Sequence, residues 1–76
     1  MRTVIVDAEW DAEAKVWVAT SNDVPGLATE AETVDALMSK LDIMIPELLA
    51  ANGELPEGVP GIPYELRSTG RVALHA

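Results

Sequence analysis

The stretch Ser21-Asn22-Asp23-Val24-Pro25-Gly26-Leu27 constrains this chain more than any other. Proline fixes φ at one turn position and glycine accepts the positive φ that the next can require, so Val24-Pro25-Gly26 marks a tight reversal. Two strand-like runs precede it, and a long amphipathic helix opens soon after, at Thr33. Two strands, a turn, a short third strand and a helix describe a small sheet covered on one face. The expected class is α+β in the order β-β-β-α-β, a small, mostly antiparallel sheet with one kinked helix packed on one face.

Residues 2–10 alternate: Val4, Val6, Ala8 and Trp10 share one face, and Thr3, Ile5, Asp7 and Glu9 the other. Residues 11–14 are a polar connection of hairpin length. Residues 15–21 read as a second strand, with Val16, Val18 and Thr20 opposite Lys15, Trp17 and Ala19. Both faces therefore carry large apolar groups, which predicts cover on each, one by the helix and one by something else. Residues 27–30 form the third strand.

Thr33 is a good N-cap and Asp35 suits the positive end of the helix dipole. Val34, Leu37, Met38, Leu41, Ile45, Leu48 and Leu49 then follow helical spacing and make one stripe. Gly53 after Asn52 is a stop signal, so the helix spans 33–52. Pro46 lies inside it, which predicts a kink or break near Ile45-Pro46. Residues 53–61 read as a loop, and 62–73 as extended, with Tyr64, Leu66 and Val72 as apolar markers.

Seventy-six residues make a single domain, 1–76, with hydrophobic residues at 49% and no cysteine for disulfides or thiolate metal sites. Neither a signal-peptide pattern nor a membrane-length apolar run is present, so a cytoplasmic protein with no membrane partner is the expectation. Thirteen acidic residues against five basic ones give a formal net charge of −8. Such a surface repels a phosphate backbone, so no direct nucleic-acid binding is expected; a basic partner would be attracted.

Catalytic signals are sparse. Asp7 and Glu9 share a strand face, and paired carboxylates can hold a divalent cation or transfer protons, but no further ligands are arranged around them. His75 is the sole histidine, and Ser21, Ser39 and Ser68 have no base at a recognisable spacing. No enzymatic activity, cofactor or metal site is expected. Trp10 and Trp17 flank the first hairpin and suit cross-strand packing, with at least one in the core. On the helix face opposite the stripe, Ile43 stands between Ala36 and Ala50 with Ser39 nearby. That strip is expected to be covered by a second subunit or by the 53–61 loop, which makes Ile43 the candidate for self-association.

Val16-Trp17-Val18-Ala19-Thr20-Ser21, then Asp23-Val24-Pro25-Gly26-Leu27, Thr29 and Thr33 together resemble the HicB-like antitoxin domain. The likeness covers about residues 2–53 and is greatest to a short, single-domain branch of unassigned function, of the domain of unknown function 1902 type. It implies a partial ribonuclease-H-like fold with the last strand parallel to the first. It also implies a homo-oligomer, a dimer or tetramer, that neutralises a small basic RNA-cleaving toxin of the HicA kind. Trp17, Asp23, Val24, Pro25 and Leu27 are the residues expected to meet a partner. Many such antitoxins carry a C-terminal DNA-binding segment, for which residues 62–76 are too few. A full ribonuclease-H carboxylate set is also missing. The resulting expectation is a non-enzymatic, oligomeric interaction module acting as an antitoxin. The alternatives are a standalone binding domain without a toxin and, last, a degenerate metal-dependent nuclease using Asp7 and Glu9.

Overall fold

The computed structural model describes residues 3–58 and 61–68. Strands β1 (Val4–Asp11), β2 (Val16–Thr20) and β3 (Ala28–Ala31) precede helix α1 (Val34–Ala51), and β4 (Tyr64–Ser68) follows it. The sheet order is β3-β2-β1-β4. β1 pairs antiparallel with β2, β2 antiparallel with β3, and β1 parallel with β4, from Val4↔Tyr64 to Ala8↔Ser68. The β-β-β-α-β class and the last strand beside the first are thus as the sequence implies.

Register decides what each strand buries. Ala8↔Ala19 and Trp10↔Trp17 are direct partners, and direct partners share a face. Val4, Val6, Ala8 and Ala19 therefore face α1, whose Leu37, Leu41, Ile45 and Leu49 complete the core with Val24, Leu27 and Ala31. Burial of these side chains is the main favourable term in so small a domain. Val34 and Met38, at the N-terminal end of the same helical stripe, are exposed. The helix backbone lies nearest β3 and β2, and at that end Val34 borders an open surface with Trp10 and Trp17.

Each chain reversal has a local cause. The Leu27 amide donates to the Val24 carbonyl at 3.1 Å across Pro25-Gly26, and Gly26 has φ +86°, the geometry of a type II turn. That bond also explains why β3 begins at Ala28, one residue later than the sequence pattern predicts. At the start of α1 the Thr33 side chain accepts from the Ala36 amide at 3.1 Å. At its end the Glu54 amide reaches the Leu49 carbonyl and the Gly53 amide the Ala50 carbonyl, a Schellman closure with Gly53 at φ +71°. The Asn52 side chain donates to the carbonyls of Leu48 and Pro25, tying the helix end to the turn. Between these caps the helix is assigned without a break through Pro46, whose missing N–H leaves the Asp42 carbonyl without its usual donor.

The β1–β2 connection is built on Asp11. Its carboxylate accepts from the amides of Glu13 and Ala14, and the Lys15 amide returns to the Asp11 carbonyl at 2.7 Å. This closure puts Lys15 at φ +57°, a left-handed conformation that costs an L-residue with a Cβ about 1–2 kcal/mol. Glycine would remove that strain while adding ~0.5–1 kcal/mol of unfolded-chain entropy. Lys15→Gly is therefore expected to raise stability by roughly 0.5–1 kcal/mol, read as a higher urea midpoint at unchanged slope.

Candidate interaction surface

α1 covers one side of the sheet, and among the described residues no element covers the other. The register gathers onto that open face Ile5, Asp7, Glu9 and Asp11 of β1, Val16, Val18 and Thr20 of β2, Glu30 of β3, and Glu65 and Arg67 of β4. Ile5, Val16 and Val18 are half-buried by their neighbours; Val16 and Val18 are adjacent on β2, and the Asp7↔Thr20 rung separates them from Ile5. The charged groups around them are exposed. Asp7, Glu9, Val18, Thr20 and Arg67 line a trough of about 410 Å³. Among the described residues five carboxylates meet a single cation on this face, and Arg67 is already held by Glu65 at 3.0 Å. The face thus sets a few half-buried aliphatics among an excess of carboxylates, two of them on the inner strand β1.

One end of β1 is held by side chains in place of a neighbouring strand. The Ile5 amide donates to Asp23 Oδ2 at 2.8 Å, the Ser21 hydroxyl donates to the Ile5 carbonyl, and the Asp23 amide donates to Ser21 Oγ at 3.1 Å. Ser21 and Asp23 thereby extend the ladder past Thr20, the last residue of β2. This fixes Ile5 at one end of the open face.

The five residues expected to meet a partner do not lie together. Val24 and Leu27 are buried in the core, Asp23 is half-buried and turned onto Ile5, and Pro25 is exposed. Trp17 sits at the far end of β2, half-buried against the core, its ring 5.5 Å from Trp10 and tilted by 60°. Trp10 is 47% exposed, so one tryptophan packs inward and the other lies over it. The residues that sequence reasoning did not gather are Val16, Val18, Glu30, Glu65 and Arg67. Strand alternation places each on a face, but only the register Asp7↔Thr20 and Asp7↔Arg67 shows that the faces coincide.

Ile43 is 63% exposed on the outer face of α1. The described residues of the 53–61 loop do not cover it: Leu55, Pro56 and Gly61 lie on the flank of the helix with Asp42 and Pro46, around a groove of about 460 Å³ that Ile62 and Tyr64 complete. Beside this groove the Tyr64 phenol has its pKa raised above the usual 10.0, first by burial and then by the charge and hydrogen bond of Asp42. A phenol held neutral in the folded state stabilises it below pH 10, and that contribution is lost as pH rises through the folded pKa. Tyr64 is the sole tyrosine, so phenolate absorbance reports it alone. Its midpoint is expected above 10.0 in the folded protein, and Asp42→Asn should lower it only partly because burial is the larger cause.

Among the described residues no group of three or more histidine, aspartate or glutamate side chains could hold a metal ion. Asp7 and Glu9 stand exposed on the open face, and His75 falls outside the described residues. No helix among the described residues is long and apolar enough to cross a membrane.

Comparison with known proteins gives a family without an assigned activity. No curated protein matches the chain. A hypothetical protein of the extremely thermophilic bacterium Thermus thermophilus, known from a crystal structure, is 51% identical, with a TM-score of 0.83 over 96% of this chain and 100% of that one. The model of a domain of unknown function, DUF1902, matches residues 3–75. The chain belongs to the DUF1902 family.

Proposed function

We propose that the chain is a non-enzymatic protein-interaction module whose open sheet face takes a basic protein, in the manner of an antitoxin masking a small basic ribonuclease of the HicA kind. The observation that carries this reading is the excess of carboxylates on the open face, Asp7, Glu9, Asp11, Glu30 and Glu65, set among the half-buried Ile5, Val16 and Val18. The aliphatic groups supply area to remove from water, and the one-signed carboxylates select the partner and speed its arrival. A second copy of the same face would bring like charges together, so this surface favours a different, cationic chain. The formal net charge of −8 acts in the same direction at long range. The antitoxin role itself rests on the HicB-like resemblance of residues 16–33. Affinity capture from the native host, followed by mass measurement of the intact complex, tests the reading: a small basic protein in stoichiometric amount supports it, and its absence speaks against it.

A further inference from the structure

The outer face of α1 has a different character from the open sheet. At about 100° and 1.5 Å per residue, Ala36, Ser39, Lys40, Ile43, Pro46, Glu47 and Ala50 fall within about 60° of the line through Ile43. All but the half-buried Pro46 are exposed, and the Ser39 hydroxyl is turned back onto the Asp35 carbonyl at 3.1 Å. One lysine and one glutamate flank the isoleucine, so the strip has no net sign with which to draw a basic protein.

We infer that this face pairs with the same face of a second copy, the two helices running antiparallel about a two-fold axis beside Ile43. The strip is self-complementary, as an isologous contact requires. Ala36 and Ala50 stand seven residues before and after Ile43, so the two-fold brings each alanine opposite the other copy's alanine and lets the helix axes approach closely. Lys40 lies three residues before Ile43 and Glu47 four after, both on the same side of its line. The same rotation therefore sets Lys40 of one copy beside Glu47 of the other, twice in the dimer. Ile43 meets its own copy at the centre. A parallel pair would carry the two copies' Lys40 and Glu47 to opposite flanks of the seam, leaving neither with an opposite charge to meet. Charge complementarity thus chooses both the occupant and the direction. Within one copy Lys40 Nζ donates to the Glu30 carbonyl of β3, an exposed bond that Glu47 of the other copy would replace. The opposite face of the molecule, the anionic sheet, stays free for a different protein.

Sedimentation equilibrium of the full chain over a wide concentration range tests the pairing. The wild type is expected to dimerise reversibly, and Ile43→Arg to remain monomeric. Lys40→Glu and Glu47→Lys should each weaken the dimer roughly tenfold, because either change turns two attractions into two repulsions. The double variant restores it. Glu47→Lys is the sharper single change: it makes the chain less negative and would strengthen any association limited only by general repulsion. All of these substitutions are at exposed positions, and circular dichroism checks that the fold persists. A wild type that stays monomeric to its solubility limit overturns the inference. So does a dimer indifferent to Ile43→Arg, or a double variant no tighter than the singles. Capture of a basic protein by the Ile43→Arg variant would leave the sheet-face reading intact, so the two ideas fail separately.

Discussion

Leu37→Ala is expected to lower the unfolding free energy by about 3 kcal/mol, within the ~2–5 kcal/mol typical of truncating a buried leucine. Leu37 is 0% exposed and lies where α1 meets the sheet. Its removal loses both the transfer energy of the side chain and the packing of the walls left around a cavity. Domains carry roughly 0.05–0.15 kcal/mol per residue, so a chain of 76 residues holds on the order of 4–11 kcal/mol in total. One substitution would therefore take a quarter to most of the stability. For a domain of this size the melting temperature should fall by roughly 12–24 °C, and the urea midpoint should drop with its slope unchanged. Ile43→Ala at low protein concentration, where the chain is monomeric, should change stability by no more than about 0.5 kcal/mol. Both residues are large aliphatics on the same helix, and only burial separates them.

The second large effect is on binding. Reversing Asp7 and Glu9 together, as Asp7→Lys with Glu9→Lys, is expected to weaken the basic partner by about 100-fold or more. Both side chains are exposed on the open face and border its trough, so the fold should tolerate the change. The same change of charge placed in the loop after α1, as Glu54→Lys with Glu57→Lys, both exposed, should cost far less, because it alters the long-range field without touching the contact. Affinity of the wild type should fall as salt is raised, and the Asp7/Glu9 variant should lose most of that dependence. Equal losses in the two variants would mean that net charge alone draws the partner.

Much of the fold was legible because its determinants are local. The alternation in β1, the type II turn at Pro25-Gly26, the Thr33 cap and the Gly53 stop each follow from the chemistry of a few adjacent residues. The parallel placement of β4 came from the resemblance, not from any such local signal. What was not legible depends on register and on where the helix lies over the sheet. Val34 and Met38 have core spacing, yet they are exposed, Val34 at an open surface beside Trp10 and Trp17. Asp23 has the appearance of a free turn carboxylate in sequence. The Ile5 amide, eighteen residues earlier, gives it an internal acceptor role that no local pattern shows. Val24 and Leu27 flank a turn and so resemble surface residues, but the turn folds under the helix end and buries them. The open face was half visible: Ile5, Asp7 and Glu9 were on one strand face and Val16, Val18 and Thr20 on another. The pairing Asp7↔Thr20 merged them.

The uncovered side of the sheet is, on this reading, the working surface, and its partner is a basic protein. The most direct measurement is the intact mass of complexes captured from the native host by the wild type and by the Asp7→Lys, Glu9→Lys variant in parallel. A small basic protein bound stoichiometrically to the wild type and lost from the variant is the expected result. A partner held equally by both, or one that is acidic, would contradict it.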